Sequence, residues 1–112
     1  MEQYEYARLL EYSLHNDHAL EAHQTFAYLL QTENSTTMLQ QTSLLATLNE
    51  IGRQGWLVYE VIHPNQPHSA RGSMSEAYLD AFRRRHGWRP TVGVLGGQRS
   101  LRRTLPVSRG RL

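Results

Sequence analysis

The sequence predicts an α+β fold: a small, mainly antiparallel sheet packed by two to three helices, with a basic C-terminal extension. Three observations lead there. Residues 3–12 alternate in polarity, residues 44–62 read as a helix that stops on glycine and runs into an apolar strand, and residues 71–112 concentrate arginine.

In the first segment Tyr4, Tyr6, Leu10 and Tyr12 fall on one face and Glu5, Ala7, Leu9 and Glu11 on the other, the period-2 pattern of a strand, with Arg8 interrupting the aromatic face. From Asn16 or Asp17, either a good cap, Ala19, Ala22, Phe26 and Leu29 or Leu30 recur at three and four residues. That spacing predicts an amphipathic helix to about Gln31. Residues 32–43 are polar and hydroxyl-rich and read as a loop, with room for a short strand around 37–41.

Leu44, Leu48 and Ile51 share a helical face with Leu45 beside them, and Thr42 or Ser43 can cap the start. Gly52 or Gly55 can take the left-handed conformation that ends the helix. Trp56 is expected to pack over the junction, and the run 57–62 carries the β-branched and aromatic residues of a buried strand. Pro64, Pro67 and residues 69–73 form a turn-rich linker. Ser73 or Ser75 then caps a helix through Tyr78, Leu79 and Phe82 to Arg85, ended by Gly87. A third strand is expected at 91–95, and 99–105 competes for that role. Residues 1–97 are read as one domain and 98–112 as an arginine-rich, partly flexible tail.

The segment Leu48-Asn49-Glu50-Ile51-Gly52-Arg53-Gln54-Gly55-Trp56-Leu57-Val58 resembles the helix-to-strand signature, roughly LNELGxxGWELVSV, of a family of small bacterial proteins known as a domain of unknown function. That family opens with a strand beginning Tyr-Glu-Tyr, matched here by Tyr4-Glu5-Tyr6. The likeness covers residues 3–12 and 44–63, with long inserts between the two pieces and after the second. It implies a small α/β sheet packed by a helix and supplies no activity, cofactor or catalytic residue.

Composition narrows the function. At 112 residues and 39% hydrophobic content the chain is one domain with a modest core, for which self-association is expected to help. Cysteine is absent, which removes disulfides, thiolate nucleophiles and thiolate metal sites. All twelve basic side chains are arginine, so a lysine-bearing phosphate loop and lysine-based catalysis are excluded. No apolar run approaches the ~20 residues that span a bilayer, and the N-terminus lacks a leader pattern; a cytoplasmic protein without a membrane partner is expected.

Charge divides sharply. Residues 1–70 set Arg8 and Arg53 against eight acids, a net of −6, whereas residues 71–112 set ten arginines against Glu76 and Asp80, a net of +8. Such a split suits either a basic arm for a polyanion or an internal electrostatic match. Arg83, Arg84, Arg85, His86, Trp88 and Arg89, continued by Arg99, Arg102, Arg103, Arg109 and Arg111, are the strongest candidate set. Arginine contacts phosphate, and Trp88 can stack on an exposed base. Against this, arginines in a helix's last turn oppose its dipole, and Trp88 can simply cover the core.

Other constellations are weaker. His15, His18 and His23 invite a metal-site reading, but His18 and His23 are five apart and would diverge around a helix. Glu5, Glu11 and Glu60 sit on strands that could be neighbours, yet no nucleophile motif accompanies them. Residues 93–100 look superficially like an anion-binding glycine loop and read better as a hairpin turn or hinge.

The sequence therefore points to a non-enzymatic binding module without cofactor or metal. It would engage nucleic acid through Arg83, Arg84, Arg85, Trp88, Arg89, Arg102 and Arg103. The competing expectation is an oligomeric interaction module whose arginines bridge acidic surfaces on a second subunit or a protein partner. A third is a small-ligand site lined by the tyrosines and histidines.

Overall fold

Two long strands form the middle of the molecule. β1 (Tyr4–His15) and β5 (Val92–Thr104) pair antiparallel along their whole length, from Tyr4 opposite Thr104 to His15 opposite Val92. β2 (Thr25–Gln31) lies on the other side of β1, β3 (Thr36–Met38) lies outside β2, and β4 (Leu57–Ile62) lies along β5, giving the order β3-β2-β1-β5-β4. The computed structural model describes residues 3–16, 25–63 and 72–105. Its helices are α1 (Leu44–Arg53) and α2 (Glu76–His86).

Among the described residues the fold is thus mainly β, a five-stranded antiparallel sheet with two short helices and a helical content of 24%, and the α+β fold with two to three packed helices is corrected. The chief cause lies in residues 25–31. Phe26, Leu29 and Leu30 stand in β2, not in a helix, with Leu29 opposite Leu10 and Leu30 opposite Leu9. β2 is interior to the sheet and buried on both sides, so its sequence is a nearly continuous apolar run. Such a run matches a three-and-four spacing by chance. The helical residues expected at 17–24 lie outside the described residues.

Strand alternation makes two cores. On one face Ala7, Leu9, Tyr28, Leu30 and Leu101 pack with Leu39, Trp56 and Ile51 of α1. On the other, Leu14, Ala27, Leu29 and Met38 pack with Met74 and with Leu79 and Phe82 of α2. The helix starts and stops are local chemistry. The Ser43 side chain accepts from the Ala46 backbone N–H at 3.3 Å. At the other end Gly55, at φ 91°, donates to Gly52 O while Trp56 N–H reaches back to Ile51 O, a Schellman closure that brings Trp56 and Ile51 into one core. Leu45 does not join the packed face; it is exposed, and Thr47 is buried in its stead, its hydroxyl donating to Ser43 O.

Three further expectations change. The two competing third strands are one 13-residue strand, β5, so residues 98–104 stand inside the sheet between β1 and β4 rather than in a tail. Residues 106–112, with Arg109 and Arg111, lie outside the described residues. The glycine run is strand, not hairpin: Glu11 pairs with Gly97 and Tyr12 with Leu95, leaving Gly96 as the extra residue of a bulge. Finally, β4 has the expected bounds but is an edge strand, exposed at all six positions.

Candidate functional site

Among the described residues, the face that carries α2 is only half covered. Near Leu14 and Leu29 the helix lies over it, but toward the start of β1 the same face is open. By register, Tyr6 of β1, Arg102 of β5 and Leu57 of β4 form one row across three strands on this side. Tyr4 and Arg8 project to the same side, two positions either way along β1.

Tyr59 joins this row through an irregularity. In the β4–β5 ladder Val58 pairs with Leu101 and Glu60 with Ser100, so Tyr59 is an inserted residue. A bulge re-aims its side chain, and here it brings the Tyr59 ring to 6.1 Å from Tyr6, edge to face. Tyr4 and Tyr6 are 6.4 Å apart, and the Arg102 guanidinium lies 4.8 Å from the Tyr4 ring centre and 5.6 Å from that of Tyr59. These distances are within the cation–π range, so Arg102 is held over the rings while remaining exposed. Tyr6 is 57% exposed and Tyr59 50%, values that leave ring surface open to a ligand. Arg8 is exposed beside them, and the carboxylate on this patch, Glu60, accepts from the Ser100 hydroxyl at 3.4 Å.

The seven residues expected to bind nucleic acid separate into two groups. Arg85 donates to the backbone carbonyls of Met38 and Leu39 at 3.0 Å each, fastening α2 to the end of β3. Arg89 donates to Asp80 at 2.7 Å and also to Glu76. That pairing holds the Asp80 carboxyl below its ordinary range and raises the Arg89 guanidinium. Trp88 packs edge to face on Phe82 at 5.2 Å, at the border of the core. Arg103 is on the opposite face from Arg102: it donates to Glu5 at 2.7 Å and to Gln54 O, and it covers the Trp56 ring at 4.1 Å. Arg102, Arg83 and Arg84 are exposed, the last two beside Asp80 and Gly87 around an open recess at the end of α2. Arg102 alone of the seven lies over an exposed aromatic ring, that of Tyr59.

The weaker constellations do not converge. Glu5 pairs with Arg103, while Glu11 accepts from the buried Tyr28 hydroxyl at 2.7 Å and lies 3.9 Å from Arg99. Burial, reinforced by that bond, pushes the Tyr28 phenol up. Six positions along one strand separate Glu5 from Glu11 by roughly 20 Å, and Glu60 lies on the other face. His15 ends β1, and its Nε2 is 3.4 Å from the Ser13 hydroxyl, whereas His18 and His23 lie outside the described residues. Among the described residues no group of three histidine, aspartate or glutamate side chains could hold a metal ion, and no helix is long and apolar enough to cross a membrane.

The sequence raised the tyrosines only as lining, with the histidines, for a small-ligand site; it did not single out Tyr4, Tyr6 and Tyr59 around Arg102, with Arg8 beside them. The alternation of residues 4–12 placed Tyr4 and Tyr6 on one face, but nothing local told that α2 would stop short of them. The position of Tyr59 depends on a bulge that the run 57–62 does not announce. No family model, no curated protein and no solved structure matches this chain.

Proposed function

We propose that this protein is a non-enzymatic module that binds single-stranded nucleic acid across the open half of its sheet. The observation that carries the reading is the exposed pair Tyr6 and Tyr59, with the half-buried Tyr4, gathered around Arg102, with Arg8 alongside. Bases have π-faces that stack on exposed tyrosines without regard to sequence, and guanidinium groups beside the rings reach the phosphates between stacked bases. Duplex bases are hidden in their stack, so a flat aromatic surface favours single strands. The interface then lies on the sheet rather than at the end of α2, with Arg102 as its central cation. Arg83 and Arg84 are left as auxiliary phosphate contacts.

The test is fluorescence anisotropy with labelled single-stranded and duplex oligonucleotides over a salt series. Single strands should bind more tightly than duplex of equal length. If Arg8 and Arg102 neutralise two phosphates, log affinity should fall with log salt at a slope of about −1.4. Duplex preferred over single strand, or no binding of either at low salt, would overturn the proposal.

A further inference from the structure

β4 poses a separate question. It closes one end of the sheet, hydrogen-bonded to β5 on one side, and among the described residues no strand pairs with its other side. Five of its six residues, Leu57, Val58, Tyr59, Val61 and Ile62, are large apolar side chains exposed by 38–66%. Edge strands are ordinarily protected by lysine, proline or an inward charge. β4 has no lysine or proline, and its one charge, Glu60, is engaged by Ser100 of β5, toward the sheet and away from the open edge. The five side chains leave on the order of 400 Å² in water, as large as the biggest apolar patch of a typical monomer.

We infer that β4 pairs antiparallel with β4 of a second copy of this chain, about a two-fold axis that passes beside Val61. The symmetry restricts the register. A two-fold perpendicular to an antiparallel ladder runs between a residue and its own copy, so one β4 residue must face itself. Centring on Glu60 would set two carboxylates directly opposite each other, which destabilises a cross-strand pair. Centring on Leu57 or Val58 would carry the bulged Tyr59 into the middle of the ladder. Val61 leaves the regular segment after the bulge to pair, with Val61 opposite Val61 and Glu60 opposite Ile62. The same axis keeps corresponding faces of the two sheets on one side, so the two tyrosine–arginine patches would adjoin on a ten-stranded sheet. The area available is about half the ~800 Å² per partner of a standard interface, so the dimer is a weak one whose population depends on concentration.

The chain's lack of cysteine makes the register directly testable. Sedimentation equilibrium without nucleic acid should show a mass rising with concentration from 13.0 kDa toward twice that value. A Val61→Cys variant should form an intermolecular disulfide readily under mild oxidation, because directly opposed strand residues bring their Cβ atoms close enough. Leu45→Cys, on the exposed side of α1, should cross-link far more slowly. Val61→Lys should be monomeric, and mixing it with Val61→Glu should restore a heterodimer. Equal cross-linking at positions 45 and 61, a mass of 13.0 kDa at all concentrations, or a dimer that survives Val61→Lys would overturn the inference. Because these measurements contain no nucleic acid, their failure leaves the proposed function standing, and failure of oligonucleotide binding leaves the dimer standing.

Discussion

The two halves of the α2-bearing face have the same strands beneath them and opposite fates. Over Leu14, Leu29 and Met38, α2 brings Leu79 and Phe82 down onto the sheet, and Arg85 and Arg89 are drawn into contacts that hold the helix in place. Over Tyr6 and Arg102 nothing described covers the sheet, and the arginine there lies over the half-buried Tyr4 ring and the exposed ring of Tyr59. Clustered arginine in sequence is therefore a poor guide to a free cationic surface. The richest run, residues 83–89, largely serves the fold, while a single arginine on β5, flanked by tyrosines from β1 and β4, stays exposed.

The comparison is broken most severely by removing what covers the first half. Phe82 is 1% exposed, and Phe82→Ala should cost about 3–5 kcal/mol in urea denaturation. Tyr59→Ala, at a half-exposed site, should leave stability nearly unchanged and weaken single-strand binding by about 1–3 kcal/mol, roughly 5- to 150-fold, in anisotropy titrations. If Tyr59→Ala instead destabilised the fold and left affinity intact, the open half would be structural as well.

A smaller effect tests how α2 is terminated. Gly87 has φ 88° and donates its N–H to Arg83 O at 2.8 Å. Gly87→Ala should destabilise by about 1 kcal/mol, because the left-handed conformation penalises a Cβ. It should not alter oligonucleotide affinity.

Acidity provides a further contrast. Burial, with help from nearby Arg85, lowers the His86 pKa below its ordinary 6.5, while its ring lies 4.3 Å from Phe82. The unfolded chain therefore binds this proton more readily than the folded one. The neutral ring's contribution is present above the ordinary value and is lost as the pH falls through the lowered one. Stability should drop on acidification below about pH 6.5, and His86→Phe should flatten that part of the profile. The smallest effect is expected from Arg89→Ala, since pairs with half- to well-exposed carboxylates contribute only ~0–1 kcal/mol. Affinity for oligonucleotides should be unchanged, which distinguishes Arg89 from Arg102.

Much of the local structure was legible in the residues. Ser43, Gly55 and Gly87 mark helix ends whose chemistry is complete within a few positions, and the polarity of residues 4–12 sets the two faces of β1. Long-range pairing was not legible. Residues 25–31 satisfy a helical spacing and a buried-strand composition equally well, and only their partners Leu9 and Leu10 on one side and Thr36 to Met38 on the other decide between them. Gly93, Gly96 and Gly97 suggested a turn because glycine is usual there, yet the bulge opposite Glu11 and Tyr12 lets β5 continue through them. The same limit hid the site. Tyr6 and Tyr59 are far apart in sequence and lie on strands that are not neighbours, brought together across β5 only once the sheet is assembled and bulged.

The central claim is the position of the ligand, and backbone amide chemical-shift mapping during titration with a single-stranded oligonucleotide tests it most directly. The account predicts shifts concentrated at residues 4–8, 57–60 and 100–104, with the indole signals of Trp56 and Trp88 little moved. Shifts centred on residues 83–89, with the Trp88 indole among the most perturbed, would contradict it and return the interface to the end of α2.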